Sequence, residues 1–337
     1  MVRMTMHCAA PEISVVVATY NRCEILPGTL ESLVKQEGDT AYEIIVVDNN
    51  STDDTRSVIE KLSTKPGFEK LTYLFEEKQG VSHARNRGIG AARANIIAFT
   101  DDDIRPAPNW VSSVSKAFKK FPEADCIGGK VLPHPETKFP SWLTDKYWTP
   151  LALLDLGPEP LKLNVSKGAG LVAANLAVRA SVFREVGLFQ PQLQRVKDSV
   201  GSMEDHAFQL HMSAAGKRLM YVPDLIVYAH VLEERLCKDY HRRWYCGHGH
   251  FYAVMRDAEF ESSKLRLFDV PSHLYRRTCS NAFDWLKNRL AKKSELEFQQ
   301  ELEMHFFWGF FRKRFADRRS TLELGKQGSG KSKHAPQ

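Results

Sequence analysis

The chain has 337 residues, 43% of them hydrophobic and 26% charged, with a formal net charge of +6. That balance excludes a disordered chain or a fibrous repeat and allows a substantial buried core. No apolar run approaches the roughly 18 residues needed to cross a bilayer. The opening MVRMTMHCAAPE lacks the apolar centre of a signal peptide, so a cytoplasmic protein is expected.

Six cysteines (Cys8, Cys23, Cys126, Cys237, Cys246 and Cys279) are scattered without a C-x-x-C pair, the pattern of reduced structural or surface thiols. Charge is uneven along the chain. From Leu236 onward 20 Lys+Arg face 12 Asp+Glu, a balance of +8; the preceding residues carry 27 against 29, or −2. Two regions with different tasks are implied, and a nucleic-acid partner is not expected for either.

In chain order, ISVVVA (13–18) is an apolar β-branched run suited to a strand buried on both faces. A helix over 26–35 follows, then a strand over 43–47 ending on Asp48, a polar turn NNSTDD and a helix over 55–62. A strand over 71–75, a helix over 82–93 and a strand over 95–100 complete a βαβ series. This predicts an α/β fold with a mostly parallel, doubly wound central sheet flanked by helices. Ligands of such sheets bind outside the carboxyl ends of the strands, where Asp48 and Asp101–Asp103 fall.

After Asn109 the pattern loosens. A helix covers 110–120, and a Pro-rich loop over 133–160 carries Trp142, Tyr147 and Trp148, which either form a lid or pack the loop onto the domain. Residues 169–187 suggest a strand entering a short helix. A further helix begins near Met203, with Ser202 placed to cap it and Gly216 to end it. Two short strands, 219–222 and 225–228, precede a mainly helical region beyond Leu236.

Two phosphate-binding patterns are set aside. The first strand runs into Thr19-Tyr20-Asn21-Arg22 rather than G-x-G-x-x-G, and Gly88-x-Gly90 lies within or beside a helix. GKQGSGKS (325–332) has the letters of a P-loop, but only five residues follow, too few for the helix that would receive the phosphates. Asp48, Glu204, Asp205 and His230 each have an ordinary structural reading as a turn acid, helix-start acids and a strand-end histidine. Converging on one crevice, such carboxylates and an imidazole suit Mn²⁺ or Mg²⁺, hard cations that keep substrate phosphates in their shell.

ISVVVATYNR, EIIVVDNNSTDD, GVSHARNRGIGAARANIIAFTDDD and SMEDHAFQLHMSAAGKRLMYVPDLIVYAH resemble, in that order, the blocks of inverting family 2 glycosyltransferases with the GT-A fold, over roughly 12–250. The resemblance implies a hexosyltransferase-like enzyme with a nucleotide-sugar donor, most often UDP-linked, and a saccharide or lipid-linked acceptor. Thr19, Tyr20, Asn21, Arg22 and Asp48 match segments that hold base and ribose. Arg85 and Asn86 match a segment beside the nucleotide. Asp101–Asp103 match the DXD motif, with Asp101 and Asp102 assigned to the donor and Asp103 to the metal, although three adjacent acids leave room for a shift of one. His230 matches a further metal ligand, and Asp205 matches the general base. Glu204, Arg242, Arg243 and Trp244 are assigned to the acceptor or diphosphate, the last three through partial likeness to a Q-x-x-R-W motif.

One departure is Asn49, standing where relatives frequently have a second acid. The expected organisation is an N-terminal tail (1–11), a GT-A catalytic domain (12–235, with a nucleotide-sugar half 12–108 and an acceptor half 109–235), a helical region (236–318) and a disordered basic tail (319–337). The aromatic and basic segment 306–315 is either an interfacial helix on an anionic membrane surface or a core helix. The implied task is surface-glycan synthesis, peripheral on the inner face of the cell membrane. The rival readings are a catalytically silent sugar-nucleotide-binding protein and a nucleotidyltransferase; the latter normally carries a Gly- and Lys-rich loop after the first strand.

Overall fold

The computed structural model describes residues 10–168, 170–194, 200–256 and 260–330. They divide into two compact units, one containing the described residues up to 194 with 204–236, the other 200–203 with 237–330.

The first unit is built on β1 (Ile13–Thr19), α1 (Leu26–Val34), β2 (Tyr42–Asp48), α2 (Thr55–Ser63), β3 (Leu71–Phe75), α3 (Val81–Ala91) and β4 (Ile96–Asp101). It continues through β5 (Ile104–Pro106), α4 (Trp110–Lys120), β6 (Cys126–Pro133), β7 (Leu161–Lys162), β8 (Leu176–Arg179), α5 (Ala180–Val186), α6 (Glu204–Ala214) and β9 (Leu219–Ala229). The sheet runs β3-β2-β1-β4-β8-β6-β9-β5, with β7 on β9. The β3-β2-β1-β4 pairs are parallel, β8 is antiparallel to both neighbours, and β6 pairs parallel with β9. Because β8 reverses twice, β1, β2, β4, β6 and β9 all point their carboxyl ends to one edge. The two strands expected at 219–228 are one, interrupted opposite a register shift between Gly128 and Lys130.

Helices cover the sheet because its strands are apolar on both faces; five of the seven β1 residues form an unbroken buried run at its start. Gly88 explains the G-x-G pattern in α3. A Cβ there would lie 2.4 Å from Val16 Cγ1, so glycine lets α3 pack directly on β1. Under the carboxyl edge, Phe99 of β4 meets Phe189 edge-on at 5.4 Å, and Phe208 of α6 stacks on Phe183 at 5.2 Å. Truncating one such ring to alanine costs about 3–5 kcal/mol. This cluster fixes the α6 start relative to the end of β4.

The second unit contains α7 (Lys238–Met255), the hairpin β10 (Arg266–Leu267) and β11 (Val270–Pro271), α8 (Ser272–Leu290) and α9 (Ser294–Gly330). Helices α7 and α9 touch through reciprocal glycines. A Cβ on Gly249 would lie 1.9 Å from Phe306 O, and one on Gly309 would lie 1.8 Å from Cys246 O.

The 306–315 segment departs from the interfacial expectation. Phe307 and Phe310 are buried in the unit's core with Phe306 and Phe311 packed beside them, and Arg314 is fully buried in ion pairs with Glu261 and Asp269. The aromatics therefore fill a protein core, leaving Trp308 and Phe315 exposed. The expected disordered tail is also corrected in part: 319–330 continue α9, while 331–337, like 1–9 of the N-terminal tail, lie outside the described residues. Among the described residues, no helix is long and apolar enough to cross a membrane.

Candidate active site

The turns after β1 and β2 are laced together. Asn21, at φ +51, accepts from Thr52 N at 2.7 Å on its side-chain oxygen while its own N–H donates to Ser51 Oγ at 3.0 Å. Arg22 N donates to Thr55 Oγ1 at 3.2 Å. Thr19 is buried at the end of β1 and Tyr20 beside it is exposed. Asp48 is 2% exposed; its two oxygens accept from Ser51 N at 3.0 Å and Tyr73 Oη at 3.1 Å. Burial and this carboxylate push the Tyr73 phenol up to about 12. Asp48 thus holds the turn that carries the expected donor wall.

Asn49 is also buried. Its Nδ2 donates to Lys78 O at 2.7 Å and its Oδ1 accepts from Gly80 N at 2.7 Å, clamping the loop that leads into α3. An aspartate could accept from Gly80 but could not donate to Lys78. The departure from the family pattern therefore has a local structural cause.

Arg85 is the hub. Buried on α3, its Nη2 contacts Asp101 Oδ1 at 3.1 Å and its Nη1 contacts Glu204 Oε1 at 3.0 Å, tying the end of β4 to the first turn of α6. Glu204, expected near the acceptor, is instead 4% exposed in this ion pair. Asn86, expected beside the nucleotide, exchanges two hydrogen bonds with the Phe189 main chain, at 2.9 and 3.1 Å. Glu204 is thus held in a buried ion pair, and the half-buried Asn86 amide is occupied by the Phe189 main chain.

Asp205 follows Glu204 on α6. Its Oδ1 accepts from His206 N at 2.8 Å and its Oδ2 from Ala173 N at 3.4 Å. Burial raises its pKa, with the Arg85 guanidinium and these two N–H groups opposing that rise. Two amides missed by sequence reasoning set the Ala173 turn in place. Gln209, one turn along α6, exchanges bonds with Leu171 N and O, both at 2.7 Å. Asn175 donates to Lys130 O and Leu225 O and accepts from Trp110 Nε1 at 2.8 Å. Isolated amides have no sequence pattern; their separation in the chain hides the role.

The acidic run lies between the end of β4 and the start of β5. Asp102 is pushed up to about 7 by burial and then by the neighbouring Asp103 carboxylate, with Arg22, whose Nε is 4.0 Å from Asp102 Oδ1, opposing the shift. The β5–β9 ladder pairs Ile104 with Ala229, and His230 N donates to Asp103 O at 2.9 Å. Register therefore makes Asp103 and His230 neighbours. One carboxylate and one imidazole fit a hard cation that completes its shell from substrate oxygens and water. Among the described residues no group of three or more His, Cys, Asp or Glu side chains that could hold a metal ion is assembled, at this edge or elsewhere.

The profile of Glycosyl transferase family 2 matches residues 14–187, more than half of the chain. The chain belongs to glycosyl transferase family 2. Among curated relatives of this family 2 chain, glycosyltransferase AglE of Haloferax volcanii is 31% identical over 195 residues, covering 56% of the chain and 59% of AglE. A glucosyl-dolichyl phosphate glucuronosyltransferase of the same organism is 25% identical over 192 residues, covering 56% and 58%. The chain therefore spans less than two thirds of the length of these relatives.

Two solved structures share the fold. Mannosyltransferase PcManGT from Pyrobaculum calidifontis, in complex with GDP-Man and Mn²⁺, superposes with a TM-score of 0.54 at 19% identity, covering 97% of this chain and 82% of that one. TarS 1–349 of S. aureus, in complex with UDP-GlcNAc, gives 0.51 at 17% identity, covering 87% and 90%. The family 2 chain has the GT-A fold. Of the three expected residues on α7, Arg242 pairs with Glu301 and Asp239, Trp244 stacks on His248 at 4.3 Å, and Arg243 is exposed.

Proposed function

We propose that this chain is an inverting glycosyltransferase that moves a sugar from a nucleoside-diphosphate donor to a hydroxyl of a saccharide or lipid-linked acceptor. The observation carrying the reading is the Arg85 bridge, which draws the strand-end acids and the first turn of α6 to one edge of the sheet. A sugar carried there would have its diphosphate toward Asp101–Asp103 and its acceptor face toward Asp205. Tyr20 and the Asn21–Arg22 turn form the base and ribose wall. UDP-sugars are the first donors to test, and a relative named for glucosyl-dolichyl phosphate supports a lipid-linked acceptor.

Asp103 and His230 would hold Mn²⁺ or Mg²⁺, which supplies charge to offset the negative charge building on the departing diphosphate. Asp205 accepts the proton from the acceptor hydroxyl as that oxygen attacks the anomeric carbon from the face opposite the leaving group, which inverts it. The step requires an ionised Asp205. Arg85 and the Ala173 and His206 N–H groups favour that form against the burial that disfavours it.

The test is release of UDP from UDP-sugars by wild-type protein and by Asp205→Asn, with donor binding measured in parallel. Loss of release with binding retained supports the transferase. No UDP release by wild-type protein despite donor binding, with saccharide and polyprenyl-phosphate-linked saccharide acceptors supplied, would favour a silent binder and contradict the reading.

A further inference from the structure

The second unit leaves one long helix face uncovered. On α8, Leu274 is 1% exposed and Asn281 Nδ2 donates to Glu303 Oε2 at 2.6 Å, which marks the side turned to α9. Half a turn round, Phe283, Leu286 and Leu290 are 69%, 49% and 77% exposed. With exposed Cys279 they recur every three or four residues, so they form one stripe. Single exposed apolar residues are ordinary, whereas a continuous stripe on a folded unit calls for a partner.

The β10–β11 hairpin carries a second exposed apolar patch of the same unit. Its two turn residues, Phe268 and Asp269, have φ of +52° and +63°, the left-handed region that glycine adopts most readily. Phenylalanine is disfavoured there, yet the turn presents Leu267 and Phe268 at 53% and 52% exposure, next to Leu265 at 73%. Tyr275 Oη donates to Leu267 O at 2.9 Å. Leu267 therefore lies beside the first turn of α8, and Phe268 packs edge-on to Phe315 of α9 at 6.0 Å.

Cations predominate around the stripe. Arg276, Lys287, Lys292 and Lys293 are exposed and make no ion pair among the described residues, and Asp284 is the one acid in the α8 sequence. We propose that the hairpin tip and the outer face of α8 form an interfacial docking surface for an anionic phospholipid bilayer. From Tyr275 to Leu290 the strip is roughly 22 Å long at the helical rise, enough to lie in the plane of the headgroups with its rings and leucines at the acyl boundary. The flanking cations meet the lipid phosphates. A convex helix face rimmed by cations unpaired among the described residues, with Asp284 as the one acid on the helix and Asp269 of the turn met by arginines, complements a flat anionic surface. The surface meets the 306–315 segment at Phe315, 6.0 Å from Phe268, while Phe307 and Phe310 of that segment lie inside the core.

The experiment is co-sedimentation of the full chain with vesicles of phosphatidylglycerol and phosphatidylcholine, and with phosphatidylcholine alone, at low and high salt. Binding to the anionic vesicles is expected to weaken with salt. It should fall at least ~10-fold in Phe283→Glu/Leu290→Glu and also in Arg276→Ser/Lys287→Ser, with circular dichroism unchanged. Wild-type protein that does not pellet with anionic vesicles, or folded variants that pellet as wild type does, would overturn the proposal. A dimer in light scattering that the Phe283/Leu290 variant converts to monomer, without vesicle binding, would overturn it in favour of a second copy.

Discussion

Each unit gathers a cluster of charges, and the two clusters are balanced differently. In the sheet unit, Asp101, Asp102, Asp103, Glu204 and Asp205 are accompanied by Arg22 and Arg85, an excess of carboxylates at the open edge of the sheet. In the helical unit, Glu261 and Asp269 are met by Arg256, Arg266 and Arg314, with every acid paired more than once. In the second cluster three arginines meet two acids, so no carboxylate is left uncompensated and the cluster acts as a staple. The first is left wanting positive charge, as expected of a site completed by a cation and a diphosphate.

This contrast can be broken in four ways. The largest effect is expected for Asp205→Asn, which should lower sugar transfer by about 10²–10⁴-fold while donor binding and melting temperature stay near wild type, read by UDP release and thermal unfolding. Next, Arg85→Met strands two carboxylates and should cost about 3 kcal/mol of stability in denaturant titration. It also removes a charge that lowers the Asp205 pKa, so any remaining activity should lose its acid limb at higher pH than wild type. An acid limb that does not move would argue against Arg85 acting on Asp205.

Asn49→Asp should cost about 2 kcal/mol, because a buried carboxylate would face the Lys78 carbonyl in place of an N–H donor. Equal stability in urea would remove the structural explanation for this departure from the family pattern. Arg314→Met should cost least, about 1–2 kcal/mol, since Arg266 and Arg256 still meet the two acids. Donor affinity measured by calorimetry should not change. A loss larger than that of Arg85→Met would reverse the comparison between the clusters.

The strands and the acids at their ends were legible because buried parallel strands read as unbroken Val and Ile runs and their carboxyl ends are where such a sheet presents ligands. The partner of Arg85 was not legible. Glu204 lies 119 residues away and has an ordinary helix-start reading of its own. The clamps made by Asn49, Asn175 and Gln209 are invisible for the same reason: one amide carries no periodicity. In α9 a signal was present. Phe307, Phe310, Phe311 and Arg314 recur at helical spacing as a buried stripe, but the adjacent basic residues made the segment resemble a surface helix. Burial of Arg314 depends on acids in the preceding segment, which only the folded unit brings together.

The strand-end acids and His230 are proposed to complete a cation–diphosphate site. Calorimetric titration of UDP into the protein, with and without Mn²⁺, tests it most directly when repeated with Asp103→Ala. The account predicts Mn²⁺-dependent binding in wild-type protein that loses its Mn²⁺ dependence in a folded Asp103→Ala variant. UDP binding of equal strength with and without Mn²⁺, or an unaltered Mn²⁺ effect in that variant, would contradict it.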